Sequence, residues 1–222
     1  MNEDVWLAVE QYTTSLLLGD DPVLEGSLAA SAEAGLPSIQ VSPPEGRFLF
    51  LIARLIGAKS VLEIGTLGGY STICMGRALP ADGRLITLEL DPKCVEVASE
   101  NLRRAGLSDR VEIRLGPASE SLARIEAAGE GPFDLTFIDA DKRGTPEYFE
   151  AALRLSRPGG VIIVDNVVRK GSLLEADSEN ADIQGMRRFL ERVSREPRVT
   201  ATVLQTVGSK GHDGFALVRV NS

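Results

Sequence analysis

Two short apolar stretches of the chain each end in oxygen-bearing side chains. Residues 135–138 run into Asp139, Asp141 and Lys142, and residues 161–164 run into Asp165 and Asn166. Both stretches are rich in the Val, Ile, Leu and Phe of buried strands. Two strands that stop in carboxylates and a side-chain amide form an oxygen-only donor set. Such a set selects a hard cation, Mg2+ first with Mn2+ or Ca2+ as alternatives, over softer metals. Three protein ligands leave coordination positions for water or for two substrate oxygens. Lys142 follows close behind Asp139, and a lysine beside a divalent cation and desolvating neighbours can serve as a base. The plainer reading of Lys142 and Asp141 is a pair of solvated loop charges.

A second group is built for a nucleoside. Residues 61–71, Val-Leu-Glu-Ile-Gly-Thr-Leu-Gly-Gly-Tyr-Ser, read as a strand, a glycine-rich turn and a helix start. Glycines there let a ligand approach the backbone and let the helix pack close to the strand. The spacing is not G-x-G-x-x-G, because position 67 is Leu, and Glu63 precedes the first glycine. No Gly-Lys-Ser/Thr occurs, which excludes a phosphate cradle of that type. Glu89 ends the next candidate strand, where an acid accepts hydrogen bonds from both hydroxyls of a ribose. That acid does not separate NAD from S-adenosylmethionine (SAM), and a tight turn without a ligand is the plainer alternative.

These residues need a frame that brings strand ends together. Strands are predicted over 60–64, 84–89, 111–115, 134–139 and 160–165, with helices near 69–79, 92–105, 117–128 and 146–156 between them. Asp91-Pro92 and Thr145-Pro146 read as caps followed by first-turn prolines. This alternation predicts an α/β, Rossmann-like doubly wound sheet, with helices on both faces. Ligands then bind beyond the carboxyl ends of the strands, near the switch in strand order. A further helix over 181–195 carries Ile183, Met186, Leu190 and Val193 on one face. Two last strands, 199–205 and 214–220, joined by a loop over 208–214, bring the sheet to seven strands, mostly parallel with the last antiparallel. Upstream, residues 3–18 place Val5, Val9, Tyr12 and Leu16 on one helical face, and 22–34 reads as a second helix. Ser42-Pro43-Pro44-Glu45 reads as a capping box that starts a third, with Phe48, Leu51, Ile52 and Leu55 as its buried face. No repeat or linker divides the chain, so residues 1–222 are expected to form one domain, with 1–40 as an N-terminal helical segment.

Composition narrows the partners. A net charge of -8 weighs against a nucleic-acid partner, since phosphate binding favours a basic face. No apolar run approaches the length of a membrane span, and the acidic start, Met-Asn-Glu-Asp, is unlike a secretion signal. Cys74 and Cys94 fall in predicted helices without metal-ligand spacing, which points to free thiols in a reducing cytoplasm. The lone histidine, His212, excludes a His-rich zinc site and is expected in a loop, not as a ligand. Trp6 is expected in the core of the first helix in preference to a lid over substrate.

Taken together, Val61–Ser71, Leu88–Pro92, Phe137–Lys142 and Gly160–Asn166 resemble the cation-dependent class I SAM O-methyltransferases, the family of catechol and caffeoyl-CoA O-methyltransferases. The resemblance covers residues from about 40 to 220. Leu67 departs from the commoner glycine-rich SAM turn but is consistent with this subfamily. The resemblance implies that Asp139, Asp165 and Asn166 hold the metal and that Lys142 is the general base. It implies that Glu63, Gly65 and Ser71 form the SAM-contacting turn and that Glu89 takes the ribose. It implies that Ala118 lies beside the adenine, Val41 near the methionine end and Asp139 near the sulfonium. The reaction implied is in-line methyl transfer to one hydroxyl of a catechol-type small molecule, in a bacterial-type homodimer. Ile39, Gln40, Arg169, Lys170 and the 208–214 loop are the candidates for shaping the acceptor site. Other readings are methylation of a hydroxylated uridine in tRNA, an NAD-dependent dehydrogenase, and a non-catalytic SAM-binding scaffold.

Overall fold

The alternation of buried residues along the strands decides where the helices lie. The computed structural model describes residues 3–221. In chain order the elements are α1 (Glu3–Leu17), α2 (Pro22–Glu33), α3 (Pro43–Leu55), β1 (Ser60–Ile64), α4 (Tyr70–Ala78), β2 (Arg84–Glu89), α5 (Pro92–Arg104), β3 (Val111–Leu115), α6 (Ala118–Ala127), β4 (Phe133–Ile138), α7 (Thr145–Leu155), β5 (Ser156–Val164), α8 (Ala181–Arg195), β6 (Val199–Gly208) and β7 (Gly211–Val220). Leu62, Ile64, Ile86, Leu88, Ile138 and Ile162 face one side and pack with Leu122 of α6, Phe149 of α7 and Phe189 of α8. Val61, Leu85, Leu135, Phe137 and Ile163 face the other side, against Leu49 of α3, Ile73 of α4 and Leu102 of α5. Strands covered on both faces carry no polar alternation, which is why they read as continuous apolar runs.

The sheet order is β3-β2-β1-β4-β5-β7-β6. The first five strands are parallel, and β7 pairs antiparallel with both β5 and β6. The predicted seven-stranded doubly wound sheet is thus the observed one. Several caps are also as read. Ser42 and Glu45 form the capping box of α3, with Ser42 N donating to Glu45 Oε2 at 2.7 Å. Asp91 caps α5 through Lys93 N at 2.8 Å.

Four local expectations are corrected. The loop expected over 208–214 is a tight turn, because Gly208 pairs with Gly211 and leaves only Ser209 and Lys210 unpaired. His212 therefore lies on a strand, with Nε2 2.7 Å from Gln205 Oε1. Thr145 does not cap α7; a 3-10 turn over Lys142–Gly144 runs directly into the helix and makes Thr145 its first residue. The buried face of α3 is Gly46, Leu49 and Ala53, whereas Leu51 and Leu55 are exposed. Close packing of α3 on α4 selects that face: a Cβ at Gly46 would lie 2.9 Å from Cys74 Sγ and Tyr70 Cε1. Finally, α1 has no buried residue, and Val9 and Leu16 of its apolar face are 56% and 63% exposed. Trp6 is half-buried and not core. A helical period shows that a face is apolar, not that the same chain covers it.

Candidate active site

Parallel registry aligns the strand ends. Ile64 pairs with Ile138, and Ile138 with Val164, so Asp139 and Asp165 come next on neighbouring strands. The ladder continues through them: Asp139 N donates to Ile64 O at 2.9 Å and Asp165 N to Ile138 O at 3.0 Å. Strand order reverses between β1 and β4, and Gly65 and Asp139 flank that point. Gly65 has φ +100°, and a Cβ there would lie 2.0 Å from the Asp139 carbonyl oxygen, so no other residue fits.

A cavity of about 810 Å3 runs along this rim. Glu89, Cys94 and Ala118 line it on the β2–β3 side, Val41, Gly65 and Ser71 near its middle, and Asp139, Lys142 and Asn166 on the β4–β5 side. Ile39, Gln40 and Arg169 also reach it, together with Arg143, Tyr148 and Asp182. Lys170 is not among the lining residues; its side chain lies over Gly211 in the hairpin turn.

On the nucleoside side, the two acids are placed differently. Glu63 is fully buried behind the cavity wall and does not line it. Its Oε1 accepts from Ser71 Oγ at 2.6 Å and its Oε2 from Thr72 Oγ1 at 2.5 Å, so it grips the first turn of α4. Burial pushes the Glu63 carboxyl up to about 7, with hydrogen bonds from Ser71, Thr72 and Thr87 opposing and the charge of Asp139 adding. Glu89 lies on the cavity. Its Oε2 accepts from Thr66 N and Leu67 N at 3.1 and 2.8 Å, and its Oε1 from Leu90 N and Asp91 N at 2.8 and 2.9 Å. Those four donors fill the lone-pair sites of a carboxylate. A diol ligand has to take the place of some of them.

At the ends of β4 and β5, Asp165 is buried and its Oδ1 accepts from Asn166 N at 2.8 Å. Burial first, then the charges of Asp139 and Glu45, push its carboxyl well above the usual range, with Lys142 and the Asn166 N–H opposing. Lys142 is buried as well, and its Nζ is 2.7 Å from Asp139 Oδ1. Its turn is held from both sides. Asp141 Oδ2 accepts from Gly144 N at 3.0 Å, and Asp141 Oδ1 from the Tyr148 hydroxyl at 2.6 Å. Across from it, Gly185 of α8 lets the turn approach, since a Cβ there would lie 2.2 Å from Lys142 O. Asp141 is thus a loop anchor.

Among the described residues no three His, Cys, Asp or Glu side chains gather as a metal cluster. A cation here depends on two carboxylates, the Asn166 amide and non-protein oxygens. The residues fit that group. Asp165 is crowded by the negative charges of Asp139 and Glu45 with Lys142 as the opposing cation, and hard oxygen donors suit Mg2+.

Sequence reasoning did not find Thr72 as a partner of Glu63, nor Tyr148 as the support of Asp141. It found Glu45 as a cap but not as a charge facing Asp165. A second pocket of about 430 Å3 was also missed, lined by Trp6, Val9, Phe48, Val207 and Phe215 beside Ser42 and Glu45. It forms only when α1, α3 and the β6–β7 hairpin meet.

Comparison with known proteins gives one consistent answer. The profile of the O-methyltransferase family matches residues 14–220. A catechol O-methyltransferase of Niastella koreensis is 50% identical over 99% of this chain and 100% of its own length. One from Mycobacterium tuberculosis is 52% identical over 96% of this chain and 94% of its own. The crystal structure of an O-methyltransferase from Bacillus cereus in complex with SAH superposes with a TM-score of 0.98, at 51% identity, covering 99% of this chain and 100% of that one.

Proposed function

Since this chain belongs to the O-methyltransferase family and is a SAM-dependent O-methyltransferase, we propose that it methylates one hydroxyl of a catechol-like vicinal diol in a small molecule, with a divalent cation held by Asp139, Asp165 and Asn166. Family membership sets aside the NAD-dehydrogenase and scaffold readings. The observation that carries the proposal is the oxygen-only donor set at two aligned strand ends: Asp139 and Asn166 line one cavity with Lys142 and Glu89, while Asp165, next to Asn166 at the end of β5, is buried and not among the lining residues. The catechol O-methyltransferase names of relatives at 50% and 52% identity support the acceptor class. SAH in the Bacillus cereus relative supports the cofactor.

In this reading Glu89 takes the ribose hydroxyls, Ala118 flanks the adenine, and Val41, Gly65 and Ser71 receive the methionine end. Glu63 acts from behind, through Ser71. Asp139 serves both the sulfonium side and the metal. When bound, Mg2+, or Mn2+ or Ca2+ in its place, supplies Lewis acidity toward the diol oxygens. Lys142 accepts the hydroxyl proton, which requires it to leave its contact with Asp139 as a free amine. The acceptor oxygen then bonds to the methyl carbon in line as the carbon–sulfur bond breaks, and S-adenosylhomocysteine departs. The aromatic pocket of Trp6, Phe48 and Phe215 adjoins the metal side through Ser42 and Glu45 and offers an apolar rest for the acceptor's substituent.

Residues 1–222 act as one catalytic domain in this reading, and a second copy covers the apolar side chains exposed on α1, on α3 (Leu51 and Leu55) and on β6 (Leu204 and Val207), giving a homodimer. The buried free thiols of Cys74 and Cys94 suit a reducing cytoplasm. Among the described residues no helix is long and apolar enough to cross a membrane.

The test is a screen of catechols, caffeates, their CoA esters and bulk tRNA with SAM and Mg2+, read by product mass. A catechol-type product is expected, lost in EDTA or in Asp165→Ala, with the EDTA loss reversed by Mg2+. Activity that persists in EDTA removes the metal from the mechanism. Methylation of tRNA alone replaces the acceptor class.

A further inference from the structure

The backbone that follows the two β5-end ligands is held by a carboxylate on another strand. Asp213 of β7 is half-buried, and its Oδ1 accepts from Val168 N at 3.1 Å, Arg169 N at 2.9 Å and Gly214 N at 2.9 Å. Val167 N donates to Gly214 O at 2.9 Å. The three successive N–H groups after Asn166 therefore all end on Asp213 and Gly214.

Asn166, Arg169 and Lys170 have φ of 56°, 50° and 57°, in the left-handed region that non-glycine residues avoid. Val167, Val168 and Arg169 lie at the start of a 3-10 turn over Arg169–Leu174, where N–H groups have no acceptor inside the turn, so outside acceptors satisfy them. The clamp also has a defined fit. A Cβ at Gly214 would lie 2.4 Å from Leu204 O and 2.9 Å from Val168 Cγ2, so glycine is what lets β7 lie against both β6 and the loop. Asp213 is not among the residues lining the main cavity, and it acts at one remove.

We propose that Asp213 is a positioning residue for the metal side of the site. By receiving the N–H groups of Val168 and Arg169, it fixes the turn from which Asn166 presents its amide beside Asp165. Carboxylates placed behind metal ligands tune affinity in this way. The inference rests on reading Asp139, Asp165 and Asn166 as the metal ligands. What the site requires of residue 213 is the acceptor oxygen, and asparagine also supplies one.

The experiment titrates Mn2+ into the full-length protein by electron paramagnetic resonance and measures SAM affinity by calorimetry. Asp213→Ala should weaken Mn2+ binding about tenfold or more. SAM affinity should stay within about twofold of wild type, and Asp213→Asn should bind Mn2+ within about threefold of it. If the alanine variant does not fold, Asp213→Ser, with one shorter acceptor, takes its place and should lose Mn2+ affinity in the same direction. Mn2+ binding unchanged in Asp213→Ala or Asp213→Ser overturns the proposal. So does a loss in Asp213→Asn as large as in Asp213→Ala, or a matching loss of SAM affinity. Failure of the ligand reading looks different: wild type would then bind no Mn2+, or Asp165→Ala would bind it as well as wild type, and the proposal would fall with it.

Discussion

Glu63→Gln should leave the protein more stable than wild type at about pH 8 and slightly less stable at about pH 5. The Glu63 carboxyl has an ordinary value of 4.5 and is pushed up to about 7 in the fold, chiefly by burial. Between those values the folded chain keeps a proton that the unfolded chain has released. More protons are bound folded than unfolded, so wild-type stability falls as pH rises through this window and levels off above about 7. At about 1.4 kcal/mol per tenfold in proton affinity, the ionised carboxylate costs the fold roughly 3 kcal/mol. Glutamine removes that cost. It introduces an amide NH2 against Ser71 or Thr72, whose hydroxyl must turn to accept, at a cost of about 1 kcal/mol. The variant should then gain roughly 2 kcal/mol at about pH 8, fall only slightly below wild type at about pH 5, and approach a deficit of about 1 kcal/mol below about pH 4, where both states of the wild type hold the proton. Urea unfolding followed by circular dichroism, at steps across that range, measures both limits. SAM and metal are left out, because either would stabilise the folded state by binding. A difference that does not change with pH, or a variant less stable at about pH 8, refutes the assignment of a buried, reluctantly ionised carboxyl.

Two further substitutions separate the chemistry from the cofactor. Lys142→Ala should lower turnover by about a hundredfold or more, on the scale of general-base losses, while SAM affinity changes much less; equal losses in rapid-quench kinetics and calorimetry would argue against a base. Glu89→Ala leaves four backbone N–H groups without their acceptor and removes the proposed ribose partner, so SAM should bind about tenfold or more weakly, with Mn2+ binding intact. Intact SAM binding with weakened Mn2+ would misplace the cofactor.

How far the sequence could be read depends on the range of the interaction involved. Strand alternation, the Ser42–Glu45 capping box and the Asp91 cap are set by neighbours a few residues apart, and the structure keeps them. The seven-stranded doubly wound sheet follows from strand and helix order, because parallel crossovers allow few arrangements. Fold class and the alignment of Asp139 with Asp165 were therefore legible. Where reading failed, a distant partner decided. The 208–214 loop closed into a hairpin because β6 and β7 pair to their ends. The face of α3 rotated because α4 comes within reach of Gly46.

The sequence by itself determined which groups are available and where each strand stops: Asp139, Asp165, Asn166, Lys142 and Glu89 at carboxyl ends, and glycine where Asp139 leaves no room for a Cβ. Only the tertiary structure decided what those groups face. It turned Glu63 away from the cavity onto Ser71 and Thr72, and set Glu45 against Asp165. It also hung the loop after Asn166 on Asp213. Periodicity and capping are local, whereas burial of a charge, its counter-charge and the acceptor for a stray N–H depend on what packing brings from elsewhere in the chain.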